Sequence, residues 1–235
     1  MNADELKRIF GAEYPAAVTR GDIRMPLRKE RRFSRSYSAP ELKMGHEVSR
    51  FHDGSAKMSY PELEREWFNW SEEDRIDFAW SCSWLSRQPD AADMVRFLLK
   101  NGDGKIWLAI ALFAVSVLSH DEAFVLLSEK LPLAELGRSS NMTQAIAKTK
   151  HSQAEMVLRR HLETIQANPR VWEDIRPFNW PAYDVTCCIE HLFGLGVKPV
   201  EFEELVKKLV QHPSPQNQQS SRRRMAKYYD WVRGE

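Results

Sequence analysis

Two short stretches, Ser119-His120-Asp121-Glu122-Ala123 and Lys150-His151-Ser152-Gln153-Ala154, lie 31 residues apart and align without a gap. At the same offset Leu127 falls on Leu158 and Leu131 on Leu162. One unit earlier, at an offset of 32, Ala91 falls on Ala123, Val95 on Leu127 and Leu99 on Leu131. Ser119 with Glu122 is a capping box, and apolar residues four apart share one face of a helix. A small Ala at each start lets a paired helix approach closely. Each of these helices follows another, predicted over residues 71–86, 106–118 and 142–148. One such pair cannot bury its apolar face without a neighbour, so a period of this length predicts stacked helical hairpins.

Outward from the repeat, punctuation remains helical. Ser59-Tyr60-Pro61 offers an N-cap and an early Pro for a helix through Trp70, and Ser71 caps a helix with Ile76, Trp80, Trp84 and Leu85 at helical spacing. Asp90 caps a helix that ends at Asn101-Gly102. The apolar run Ile106–Leu118 is too short to span a bilayer and reads as a core helix. Asn141 and Ser152 open two more helices, and residues 183–193 and 200–210 form a further pair. Pro213-Ser214-Pro215-Gln216-Asn217-Gln218-Gln219-Ser220 reads as a low-complexity linker before a last helix over residues 222–232. No run alternates with period two. An all-α fold is expected: a basic, partly irregular N-terminal cap over 1–58 with short helices near 4–10 and 39–51, a repeat domain over 59–211, and a linker with a basic helix packed on the last repeat over 212–235.

The 235 residues are 43% apolar, and 34 basic residues nearly balance 33 acidic ones. No strong overall field therefore marks a nucleic-acid or membrane binder. Charge is uneven, however: residues 1–58 carry 12 Lys/Arg against 8 Asp/Glu, and residues 59–216 carry 17 against 23. Two basic clusters, Arg28-Lys29 with Arg31, Arg32 and Arg35, and Arg222-Arg223-Arg224, are candidate phosphate contacts or solvated ends. Three cysteines cannot build a disulfide framework, and Met1 leads into polar Asn2-Ala3-Asp4-Glu5 without an apolar signal segment, so a cytoplasmic protein is expected.

The Leu/Ala pattern around Thr149-Lys150-His151-Ser152-Gln153-Ala154-Glu155, with Leu158 and Leu162 after it, resembles a HEAT-type repeat. The resemblance covers residues 71–166 and, more loosely, 182–211. It implies an armadillo-type right-handed α-α superhelix of about four helix pairs, gripping a partner on the face lined by the second helices. Three segments also resemble HEAT-like alkylpurine DNA glycosylases: residues 21–28, Leu63-Glu64-Arg65-Glu66-Trp67 through Ile76, and Lys105-Ile106-Trp107-Leu108-Ala109. That family's Trp-Trp-Asp-x-x-Asp segment, which supplies its catalytic carboxylate, has no counterpart here, and Leu108, Ala109 and Ile110 replace basic residues expected after Trp107.

Candidate chemistry is sparse. Asp184, Cys187, Cys188, Glu190 and His191 fall on one predicted helix, where a thiolate–imidazole pair or the start of a metal site competes with ordinary burial of Cys as a core filler. No glycine-rich phosphate loop, H-E-x-x-H or G-x-S-x-G occurs. Neither a cofactor nor a metal is expected. His120 and His151 read as a repeated turn residue. Trp67, Trp70, Trp80 and Trp84 are either an aromatic core or a cleft rimmed by Arg65, Arg75 and Arg87. Aligned repeats place Arg96, Ser128 and Arg159 in one row and Phe97, Glu129 and Arg160 in the next. Mixed charge along those rows suits a protein partner better than a phosphate backbone. The expected function is a non-enzymatic protein-interaction scaffold or adaptor using Arg96, Phe97, Glu129, Arg159, Arg160, Trp67 and Trp70. The alternative is a DNA-binding or DNA-repair protein, alkylpurine glycosylase-like, using the basic ends and an aromatic cleft.

Overall fold

Helices begin well where short polar side chains can satisfy free backbone amides, and that rule sets several boundaries in the computed structural model. It describes residues 58–82 and 89–233. The basic cluster Arg28, Lys29, Arg31, Arg32 and Arg35, the short N-terminal helices, and Trp84, Leu85 and Arg87 lie outside the described residues. Residues 57–235 form one compact unit.

Helix α1 spans Tyr60–Glu66 and runs into a 3-10 turn at Trp67–Asn69; α2 spans Glu72–Ser81 and α3 Ala91–Asn101. Then come α4 (Gly104–Val117), α5 (His120–Lys130), α6 (Ser140–Thr149) and α7 (Ala154–Gln166). The remainder are α8 (Arg170–Glu173), α9 (Trp180–Gly194), α10 (Glu203–Val210), α11 (Pro215–Met225) and α12 (Asp230–Arg233). Among the described residues there is no strand, and no helix is long and apolar enough to cross a membrane.

Ser71 and Ser119 cap helices as expected, whereas Asp90 takes the Tyr60 amide rather than one of α3, and α7 begins at Ala154 without a cap from Ser152. Ser71 Oγ accepts the Asp74 amide, Asp103 accepts the Lys105 and Ile106 amides, and Ser119 Oγ accepts the Glu122 amide. Ser71 and Ser119 each satisfy one of the otherwise orphaned first-turn donors, and Asp103 satisfies two. Gly102 ends α3 where chain and side chains crowd: a Cβ there would lie 2.5 Å from the Ile106 side chain and 2.6 Å from the Leu98 carbonyl. Between α6 and α7 the chain reverses through Lys150, which sits in the left-handed region at φ 52°.

The aligned repeat positions are buried alike. Ala91, Ala123 and Ala154 are 3%, 0% and 0% exposed, so all three face packed neighbours. Val95, Leu127 and Leu158, then Leu99, Leu131 and Leu162, are buried with them. α4 packs on α2, α6 on α4, α9 on α6 and α11 on α9, each the next in a continuous row. The intervening helices lie across successive members of that row: α3 against α4, α5 against α4 and α6, and α7 against α6 and α9. Arg96 of α3 reaches Glu122 of α5 at 2.6 Å, while Arg159 of α7 reaches Glu201 at 2.7 Å.

Two expectations change here. Pro213–Ser220 is not a linker: α11 begins at Pro215, and Asn217 and Ser221 are buried in it. Its polar side chains are satisfied by long-range hydrogen bonds that no hydrophobic period announces. Asn217 clamps the Asn179 backbone, accepting its amide at 2.7 Å and donating to its carbonyl at 2.6 Å. The last helix is also split, α11 ending at Met225 and α12 beginning at Asp230.

Candidate functional site

Of the clustered tryptophans, Trp67 is core, Trp70 is half-buried and Trp80 is 47% exposed. Trp67 is fully buried, and Phe97 is 7% exposed beneath α1. Phe97 meets the rings of Tyr60, Trp67 and Phe68 edge-on at 6.0, 6.0 and 6.2 Å, a favourable arrangement for aromatic quadrupoles. Half-buried Trp70 packs on Trp67 and Phe78, and Arg75 lies over Trp67 while bonding its carbonyl at 2.9 Å. Trp67 and Phe97, expected on the binding face, are therefore withdrawn from it by α1.

The constellation on α9 disperses rather than converging. Cys187 and Cys188 are buried, and desolvation holds both thiols protonated, Cys187 pushed up to about 11. His191 meets Thr143 Oγ1 through Nδ1 at 3.0 Å, and burial lowers its pKa to about 4. Glu190 turns the other way, to Arg224 and Lys227 of the C-terminal helix region. No thiolate–imidazole pair forms. Of the C-terminal basic cluster, Arg224 bonds Glu190 and Tyr183 Oη, and Arg222 bonds the Val210 carbonyl. Arg223 is exposed, beside an aromatic group in which Phe178, Trp180 and Tyr183 contact one another. His120 is exposed, whereas His151 stacks on Phe124 with centroids 3.8 Å apart, so the repeated histidines have different surroundings.

A further enclosed polar arrangement was not apparent from spacing. Ser139 precedes α6, and its amide and hydroxyl both donate to Asp184 of α9 at 2.7 Å. Asp184 thus caps α6 from another helix. Desolvation outweighs those bonds, and its pKa rises to about 6. Gly137, at φ 91°, lets the chain turn into this contact, since a Cβ there would lie 2.7 Å from Trp180. His161 of α7 completes the array, with Nε2 2.9 Å from Ser139 Oγ; burial lowers its pKa to about 4. The Ser139 proton is committed to Asp184, so His161 Nε2 carries the proton of its own bond. His161 therefore does not act as a base toward Ser139, and the order Asp–Ser–His is the wrong one for an activated nucleophile.

This array forms one end of a cleft of about 530 Å³ between α5, the segment 131–139 and α7. Ser128, Leu131, Ser139, Arg160, His161 and Thr164 are among its lining residues. Ser128 Oγ is buried without a hydrogen-bond partner. Arg159, the neighbour of Arg160, is tied to Glu155 and Glu201. Arg160 forms no ion pair among the described residues. Glu129 is exposed on α5.

No protein-family model matches this chain, and no curated protein or solved structure matches it either.

Proposed function

We propose that residues 59–211 are a HEAT-like α-solenoid of the armadillo type, a right-handed α-α superhelix of about four helix pairs, and that the chain is a non-enzymatic interaction module for another protein. The equal burial of the aligned Ala and Leu positions supports the repeat, as does the row α2, α4, α6, α9. The face used is that of α3, α5 and α7. One observation carries this reading: Val125 and Met156 occupy the same repeat position, 31 residues apart, and are 51% and 61% exposed. Exposed large apolar side chains recurring at a repeat period mark an interaction surface better than scattered ones do. Charged residues frame them, Arg96 with Glu122 and Arg159 with Glu201, and Met156, Arg159 and Arg160 share one shallow hollow. The nucleic-acid reading has less beneath it, because Arg222 and Arg224 are occupied in holding α11 to its neighbours.

The test is recovery of partners from the native cell with the wild-type chain and with Val125→Asp/Met156→Asp. Both sites are exposed, so the fold should be unchanged by circular dichroism. A protein recovered with the wild type should be lost at least ten-fold with the variant, as befits removal of two apolar anchors at roughly 1 kcal/mol or more each. Equal recovery of every partner would end the proposal.

A further inference from the structure

The cleft between α5 and α7 has features that the packing of the helices does not require. Its volume, about 530 Å³, lies within the range of small-ligand pockets. Much of its wall is apolar, including Leu131, Leu136, Val157 and Ile165. Against that wall stands the buried, unpartnered Ser128 hydroxyl. Such a group is unfavourable unless something completes it, and it can donate one hydrogen bond. Arg160 is the one lining cation, and the lining carboxylate, Glu135, is bound to Arg138 at 2.8 Å. His161 is neutral at physiological pH and its Nε2 is spent on Ser139. The cleft therefore presents one uncompensated positive charge, one spare hydroxyl donor and an apolar body.

We infer that this cleft binds a carboxylate carried on an apolar group, with the acid paired to Arg160 and hydrogen-bonded by Ser128. A guanidinium fork matches a carboxylate bidentately, and that match selects the acid over a neutral isostere. The same chemistry is offered by a small organic acid and by the carboxyl end of a peptide with an apolar last residue. The inference goes beyond the protein-partner reading and does not depend on it.

Amide chemical shifts of Ser128 and Thr164 are followed while the full chain is titrated with 4-phenylbutyrate, its neutral amide, and acetyl-Ala-Leu with a free or amidated C-terminus. Saturable shifts are expected with the free acids, weakened at least ten-fold in Arg160→Gln and several-fold in Ser128→Ala. The amidated and neutral probes should bind at least ten-fold more weakly. Arg160 is exposed, so Arg160→Gln should keep the native melting temperature, and a control at exposed Arg223→Gln should bind as the wild type does. Tighter binding of the free peptide assigns the site to chain ends, and tighter binding of 4-phenylbutyrate assigns it to small acids. Absence of saturable shifts with both acids would overturn the inference, as would equal binding by the neutral probes or by Arg160→Gln.

Discussion

Asn179→Asp should be among the most damaging single-atom changes available in this chain, although capping preferences rate Asn and Asp as equals. Asn179 is the N-cap of α9 and is fully buried. Its Oδ1 accepts the Ala182 amide at 2.9 Å, and Asp would keep that bond. Its Nδ2 donates to the carbonyls of Arg170, Val171 and Asp174 at 2.9, 3.1 and 3.0 Å. Two hydrogens serve three acceptors, so one is shared. Asp would set a second oxygen against those three carbonyls. His212 Nε2, 2.7 Å from the Val171 carbonyl, offers that oxygen another partner, because Ser214 donates to Nδ1 and leaves the proton on Nε2. Asn179→Ala removes the cap, at about 1 kcal/mol, and two carbonyl partners at about 1 kcal/mol each, or about 3 kcal/mol in all. Asn179→Asp adds a buried carboxylate with no cation beside it, a further several kcal/mol when ionised. Its pKa must rise, so part of the loss is recovered once the acid is protonated. Urea unfolding followed by tryptophan fluorescence, at pH 8 and pH 5 and referred to the wild type at each pH, measures both variants. The expected order at pH 8 is wild type, Asn179→Ala, Asn179→Asp, with only Asn179→Asp improving at pH 5. A variant Asn179→Asp within about 0.5 kcal/mol of the wild type at pH 8, the usual scatter for a neutral change, would refute the donor role given to Nδ2.

Two other expectations follow from burial. Leu127→Ala and Leu158→Ala, both fully buried at matching repeat positions, should each cost about 2–5 kcal/mol, with similar losses if their surroundings are equivalent; urea midpoints read this directly, and a negligible loss at one site would break the equivalence. Three buried groups with shifted pKa values set the expected trend of stability between pH 6.5 and pH 5. His161 and His191, lowered from 6.5 to about 4, take up protons in the unfolded chain first, so their contribution is present above pH 6.5 and is lost as pH falls. Asp184, raised from 3.8 to about 6, takes up its proton in the folded chain first and adds stability as pH falls. The wild type should therefore weaken from pH 6.5 to pH 5. In His161→Gln/His191→Asn, which keeps a donor at each position, the trend should reverse; an unchanged slope would show that other groups control it.

Much of the architecture is legible because its causes are local. Ser71, Asp103 and Ser119 cap helices within three residues of themselves, and an Ala/Leu stripe one turn apart buries wherever a neighbouring helix covers it. The partners across the stripe need not be known for the helix to be recognised. The same residues say nothing about whether an aromatic cluster is cleft or core. Phe97 aligns with exposed Glu129 and Arg160, yet α1 lies over it, and among the described residues nothing comparable covers those two.

Local pattern determined most of the helices, several of their ends and the faces they bury, since backbone satisfaction and apolar periodicity act over one or two turns. Tertiary structure alone decided the polar interior. Asp184 meets Ser139 from 45 residues away, His161 meets it from 22, and Asn217 clamps Asn179 across 38. Asn217's contacts hold as a helix what reads as a linker, burial shifts the pKa values of Asp184, His161 and His191, and folding leaves Arg160 without an ion pair and the Ser128 hydroxyl without a hydrogen-bond partner along one cleft. A buried polar side chain takes its properties from whatever satisfies it, and chain folding, not sequence spacing, chooses that neighbour.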